Sequence, residues 1–116
     1  MNTKTDIERK QPAYRPRRSS ARWTVDAPEY VLSCYDSGPK VADRYTVLFG
    51  GSLWSPEMGR IVYILAMSDD PAGPHGVSQW GEHQSHMRWT LGKHVRWLDL
   101  PARVREHVIT RAAQTQ

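Results

Sequence analysis

Cysteine is almost missing from this 116-residue chain: Cys34 stands alone. No internal disulfide can form, so packing must hold the core, and a reducing, cytoplasmic setting is expected. Long apolar runs are missing as well. The longest, Ile61–Met67, has seven residues, against the ~20 a membrane-crossing helix needs. No membrane partner is expected. The opening MNTKTDIERKQ has no apolar stretch, so no secretory signal is expected either. Strong catalytic signatures are also absent. There is no HExxH and no cysteine pair, and neither a lysine nor a helix follows Gly50-Gly51-Ser52 to make a phosphate loop. No motif asks for a cofactor.

What is present is an uneven charge. Residues 1–22 carry seven Lys and Arg against Asp6 and Glu8, a net +5, whereas the whole chain is only +4. The body is therefore almost neutral, and the basic character belongs to an arm. That arm holds Pro12 and Pro16 and has no periodic apolar pattern, so it reads as flexible. The expected organisation is a basic flexible arm over 1–22 and one domain over 23–116. A basic arm on a neutral body points to an anionic partner.

Within the body, YVLSCY (30–35), RYTVLF (44–49), IVYILAM (61–67) and HVRWL (94–98) read as strands. Ile61–Met67 is apolar on both faces and is the candidate interior strand. After Pro101, the residues Leu100, Val104, Val108 and Ala112 recur every four positions, the stripe of a helix lying on a sheet. The expected fold is α+β: a four-stranded antiparallel meander with one C-terminal helix packed on it. The connection 69–93, rich in Gly and Pro, reads as one long shaped loop.

A sequential meander puts the 36–43 turn and the 69–93 loop at one end of the sheet. That rim would gather Asp36, Asp43, Arg44, Asp69, Asp70, His75, Gln79 and Glu82. Three chemistries are open to these side chains. Asp43, Glu82 and His75 could supply a base and an acid for hydrolysis, with Arg44 steadying developing charge. Against this, an Asp and an Arg at the start of a strand commonly fix loops. His75, Glu82, His83 and His86 could ligate zinc or manganese, but His-x-x-His matches no strong signature, and polar loop histidines are the blander reading. Asp36, Gln79 and Trp80, with Trp54 in its own loop, could form a contact surface for a protein partner, as exposed tryptophans often do. Folding of those tryptophans back over the sheet is the competing reading. Cys34, inside a strand, reads as a small buried hydrophobe.

Nucleic-acid contact is what composition favours most. Arg15, Arg17, Arg18 and Arg22 offer guanidiniums for phosphates, with Tyr14 and Trp23 beside them as stacking surfaces. The expected function is a non-enzymatic binding module docking on a nucleic acid or nucleoprotein. A small hydrolase or nuclease on the 36–44 and 69–86 loops is the alternative.

The segments YDSGPKVADRYTV (35–47), LAMSDDPAGPHGVSQWGE (65–82) and LGKHVRWLDLP (91–101) also carry a resemblance. Their ADRYTV, P-x-G-x-x-Q-x-G-E and LGK…DLP patterns resemble those of short proteins scattered through bacterial, phage and plasmid genomes. The resemblance spans residues 30–110 and implies a mobile-element accessory or inhibitor protein, with no established activity. It singles out Asp43, Arg44, Gln79 and Glu82.

Overall fold

The computed structural model describes residues 22–50, 53–56, 59–84 and 91–114, with the backbone alone at 53–55, 59–60 and 83–84. Six strand segments precede a single helix: β1 (Val31–Asp36), β2 (Tyr45–Phe49), β3 (Leu53–Ser55), β4 (Gly59–Met67), β5 (Ser78–Gln84) and β6 (Lys93–Val95). A 3-10 turn, Trp97–Asp99, leads into α1 (Ala102–Gln114). All strand pairs are antiparallel.

The sheet is five strands wide, not four. Met67 pairs with Tyr45 on one side and Ser78 on the other, and Ile61 pairs likewise with Leu53 and Gln84. β2 and β3 therefore share one side of β4. Between the pairs Leu48·Ile64 and Leu53·Ile61 the outer chain spends more residues than β4 does. The order across the sheet is β5, β4, β2/β3, β1, β6.

Four sequence expectations fail here. The strand read over 94–98 stops at Val95 and gives way to the 3-10 turn, and the loop expected around Trp54 holds β3. The 69–93 connection contains a strand, because β5 pairs with β4 over its whole length. The turn before it, 68–77, is closed by Ser68 N–H to Val77 O (2.9 Å) and Val77 N–H to Ser68 Oγ (2.9 Å). Its glycines and prolines shape a hairpin turn, and β5 itself, SQWGEHQ, has little β-branched character to announce a strand. The order is also not sequential. β6 leaves β4 and adds to β1, through Cys34·Val95, Tyr35·His94 and Asp36·Lys93.

The helix prediction holds in detail. Leu100, Val104, Val108 and Ala112 are all buried. The Pro101 carbonyl accepts from the N–H groups of Val104 and Arg105 and starts the first turn, where proline's own missing N–H costs nothing. The stripe packs with Val31, Cys34, Tyr45, Val47, Phe49, Leu65, Met67 and Trp97 in one cluster. Each such fully buried Val or Leu stabilises the fold by about 1.5–3 kcal/mol. On the opposite face Leu32, Tyr35, Leu48, Val62 and Leu91 form a second cluster, joined by Ile64. β4 supplies alternate residues to both, which is why its stretch from Ile61 to Met67 is apolar throughout. No described helix is long and apolar enough to cross a membrane.

Candidate nucleic-acid interface

The strand directions bring three connections to one end of the sheet: 37–44, 68–77 and the approach to β6 at 91–92. The shared end expected for the first two survives, although the strand order does not. Asp36 and Arg44 meet there in a two-pronged pair, Arg44 Nε to Asp36 Oδ1 at 2.7 Å and Nη2 to Oδ2 at 3.0 Å. Gly38 N–H donates to the same carboxylate at 2.8 Å, and the Arg44 guanidinium also lies over the Tyr45 ring. The Arg44 hydrogen bonds hold the Asp36 carboxyl below the usual carboxylate range. These two side chains brace a turn. Asp43 sits half-buried in that turn, and His75 is exposed in the 68–77 turn.

Gln79 and Glu82 do not meet on this rim. They lie an odd number of residues apart on β5 and so point to opposite faces. Glu82 pairs with Tyr63, well down the strand from Ser78 and the turn. Trp80, expected in a loop, stands on β5 instead. It packs half-buried against Phe49 (4.9 Å between centroids) and Tyr63 (5.8 Å), so the folded-back reading holds for it. The side chains of Trp54 and His83, and the whole of His86, Arg15, Arg17 and Arg18, lie outside the described residues. Among the described residues no group of three His, Cys, Asp or Glu could hold a metal ion. Cys34 is buried, and that burial pushes its thiol up to about 12, as expected of a structural cysteine.

Another polar cluster ties β5 to α1. Ser78 Oγ lies 2.6 Å from His107 Nε2, and Arg111 Nη1 donates to the same oxygen at 3.4 Å. Burial, then the Arg111 charge, lowers the His107 pKa from its ordinary 6.5. The folded protein thus holds His107 neutral where the unfolded chain takes up a proton. This contribution to stability is complete above about pH 6.5 and is lost as pH falls through the lowered folded value. Between pH 7.5 and 5, the melting temperature of the wild type should fall further than that of His107→Gln. Parallel curves for the two proteins would refute this.

Among the described residues, cationic and planar groups gather at the β6 edge of the sheet. The alternation Lys93, His94, Val95 sends His94 to the face of its partner Tyr35, while Val95 joins the helix-side core. Trp23 is held alongside by its carbonyl, which accepts from Trp97 N–H at 3.0 Å. The His94 ring lies between Trp23 (4.1 Å, 16°) and Tyr35 (5.3 Å, 28°). The Arg22 guanidinium lies over Trp23 at 4.6 Å. Since His94 covers one face of the indole, Arg22 takes the other, giving a column of four planar groups.

A cleft of about 530 Å³ opens beside this column, lined by Arg22, Trp23, Lys93, His94, Val95, Arg96 and Asp99. Arg96 is committed to Asp99, with Nη2 to Oδ1 at 2.8 Å and Arg96 N–H to Oδ2 at 2.9 Å. That pair caps the 3-10 turn and leaves Arg22 and Lys93 as the cleft's surplus positive charge. Of these residues, only Arg22 and Trp23 stand out in the sequence. The signal for the rest is the interleaving of cations and rings in KHVRW, legible once β6 is known to sit beside residue 23.

Fold and cleft together define a small α+β module with a cationic, aromatic-walled cleft at one sheet edge. No protein-family model matches the sequence, and comparison with curated proteins and with solved structures finds no match.

Proposed function

We propose that this chain is a small non-enzymatic binding module that docks on nucleic acid or a nucleoprotein through its basic N-terminal side. The observation that carries the reading is the cleft, where Arg22 and Lys93 stand beside stacked rings. Cations that track a phosphate backbone next to aromatic surfaces are the two elements of single-strand binding sites. The position of the cleft adds to this, because Arg22 is also the last cation of the basic segment read from the sequence. In this reading the segment supplies long-range attraction and the cleft supplies the fitted contact.

The test is fluorescence anisotropy of labelled oligonucleotides against the full chain over a range of salt. If the basic segment and cleft neutralise about five phosphates, log K should fall with log salt at a slope of roughly −3.5 on single strands to −4.5 on duplex. Arg22→Gln combined with Lys93→Gln removes two cations, and the slope should become shallower by about 1.4–1.8. Absence of binding even at low salt would dispose of the proposal.

A further inference from the structure

The column Arg22–Trp23–His94–Tyr35 constrains the ligand beyond its charge. His94 is already stacked with both Trp23 and Tyr35. Tyr35 is buried in the second core cluster. Trp23 is the outermost ring of the column, and its outer face carries the side chain of Arg22. That guanidinium covers a surface on which a base could lie.

Resting on the nucleic-acid reading, we infer that the cleft takes one unpaired nucleotide. Its base displaces the Arg22 guanidinium from Trp23 and extends the column, while Arg22 and Lys93 turn to its phosphates. Two physical arguments and one observation support this exchange. An exposed contact between a cation and a ring is worth less than stacking of a base on an aromatic side chain, so the replacement is favourable. The displaced guanidinium is not lost, because a phosphate offers it paired, charge-assisted hydrogen bonds. The cleft volume of about 530 Å³ lies in the range of pockets that enclose one small ligand. A base inside a duplex has both faces covered by its neighbours and cannot enter without being unstacked. The site therefore selects single strands. It is tolerant of sequence, since every base has a face to stack.

The experiment compares oligo(dT), oligo(U) and a blunt DNA duplex of equal length, titrated with full-length wild type, Trp23→Ala and Arg22→Ala. Wild type should bind at least one of the two single strands at least about fivefold more tightly than the duplex at the same salt. Trp23→Ala should lose roughly 5- to 150-fold in single-strand affinity, the range that stacking of one base spans, with an unchanged salt slope. Arg22→Ala should behave in the opposite way. Its slope should become shallower by about 0.7 while the single-strand preference remains. Should Trp23→Ala fail to fold, the wild-type comparison and Arg22→Ala decide the matter between them. Duplex bound as tightly as both single strands, or a preference that disappears with Arg22 alone, would overturn the inference and leave the nucleic-acid reading standing. No binding of any of the three would overturn both.

Discussion

Val104→Asp should abolish cooperative folding. Val104 is fully buried at the centre of the stripe that seats α1 on the sheet, among residues from β1, β2, β4 and the helix itself. A carboxylate there would lose its hydration, and its apolar neighbours offer no hydrogen bonds in return. The substitution also removes a buried apolar side chain worth about 1.5–3 kcal/mol. Removal of the valine and burial of the charge together consume a large part of the 5–15 kcal/mol that typically separates a folded domain from its unfolded chain. The near-ultraviolet circular dichroism of the buried Trp97 should disappear, and no thermal transition should remain. A variant that still melts sharply within a few degrees of wild type would show that the helix is not a structural part of the core. Ile109→Asp is the matched control, since Ile109 lies on the exposed side of the same helix.

Gly92→Ala should be the most damaging single-methyl change for binding. Gly92 adopts φ +102°, a conformation that side-chain-bearing residues rarely adopt. A Cβ there would stand 2.7 Å from the Asp36 carbonyl oxygen and 2.8 Å from Ser37 Oγ. Both neighbours are fixed, Asp36 by its pairing with Tyr45 and Lys93, and Ser37 by donating Oγ–H to the Leu91 carbonyl at 3.0 Å. Strain of this kind costs about 1–3 kcal/mol. The chain can relieve it by moving the approach to β6, which carries Lys93 and His94 into the cleft. Oligonucleotide affinity should therefore fall about tenfold or more, with a smaller change in melting temperature than any large core truncation gives. Unchanged affinity would separate the approach to β6 from the cleft.

The helix was legible in the sequence because a four-residue stripe behind a proline admits one geometry. The strands 31–36 and 45–49, and the Ile61–Met67 part of β4, were legible because each is rich in apolar, aromatic and β-branched residues and lies next to turn residues. β5 was not, since its identity comes from pairing: Gln79, Gly81 and Glu82 are poor strand formers that β4 recruits through hydrogen bonds. Strand order was equally invisible, because β6 is three residues long and its choice of β1 over β4 is made by tertiary contacts around Trp97 and Leu91. The candidate site followed from those two hidden facts. The rim that the sequence suggested contains Asp36 and Arg44, but they face each other, and Glu82 lies away on β5. Arg22 and Trp23 were visible as an arginine beside an aromatic. Their companions Lys93 and His94 come from far along the chain and depend on the β1–β6 pairing.

That pairing also has a bearing on how the molecule is made. β1 with β2, β2 with β4 and β4 with β5 join stretches that follow one another closely, so each can form as soon as its own residues are available. β6 closes a much longer circuit: the Ser37–Leu91 contact at its mouth spans 54 positions. Loop closure of that length pays its entropy before any contact rewards it, which orders it late among the folding events. The cleft is assembled by this late closure, from one wall laid down near residue 23 and another near residue 93. During synthesis, a chain still emerging from the ribosome has the basic segment but not the pocket. Under the proposed function, such a chain would attract a polyanion loosely without gripping it, and selective binding would belong to the finished molecule alone.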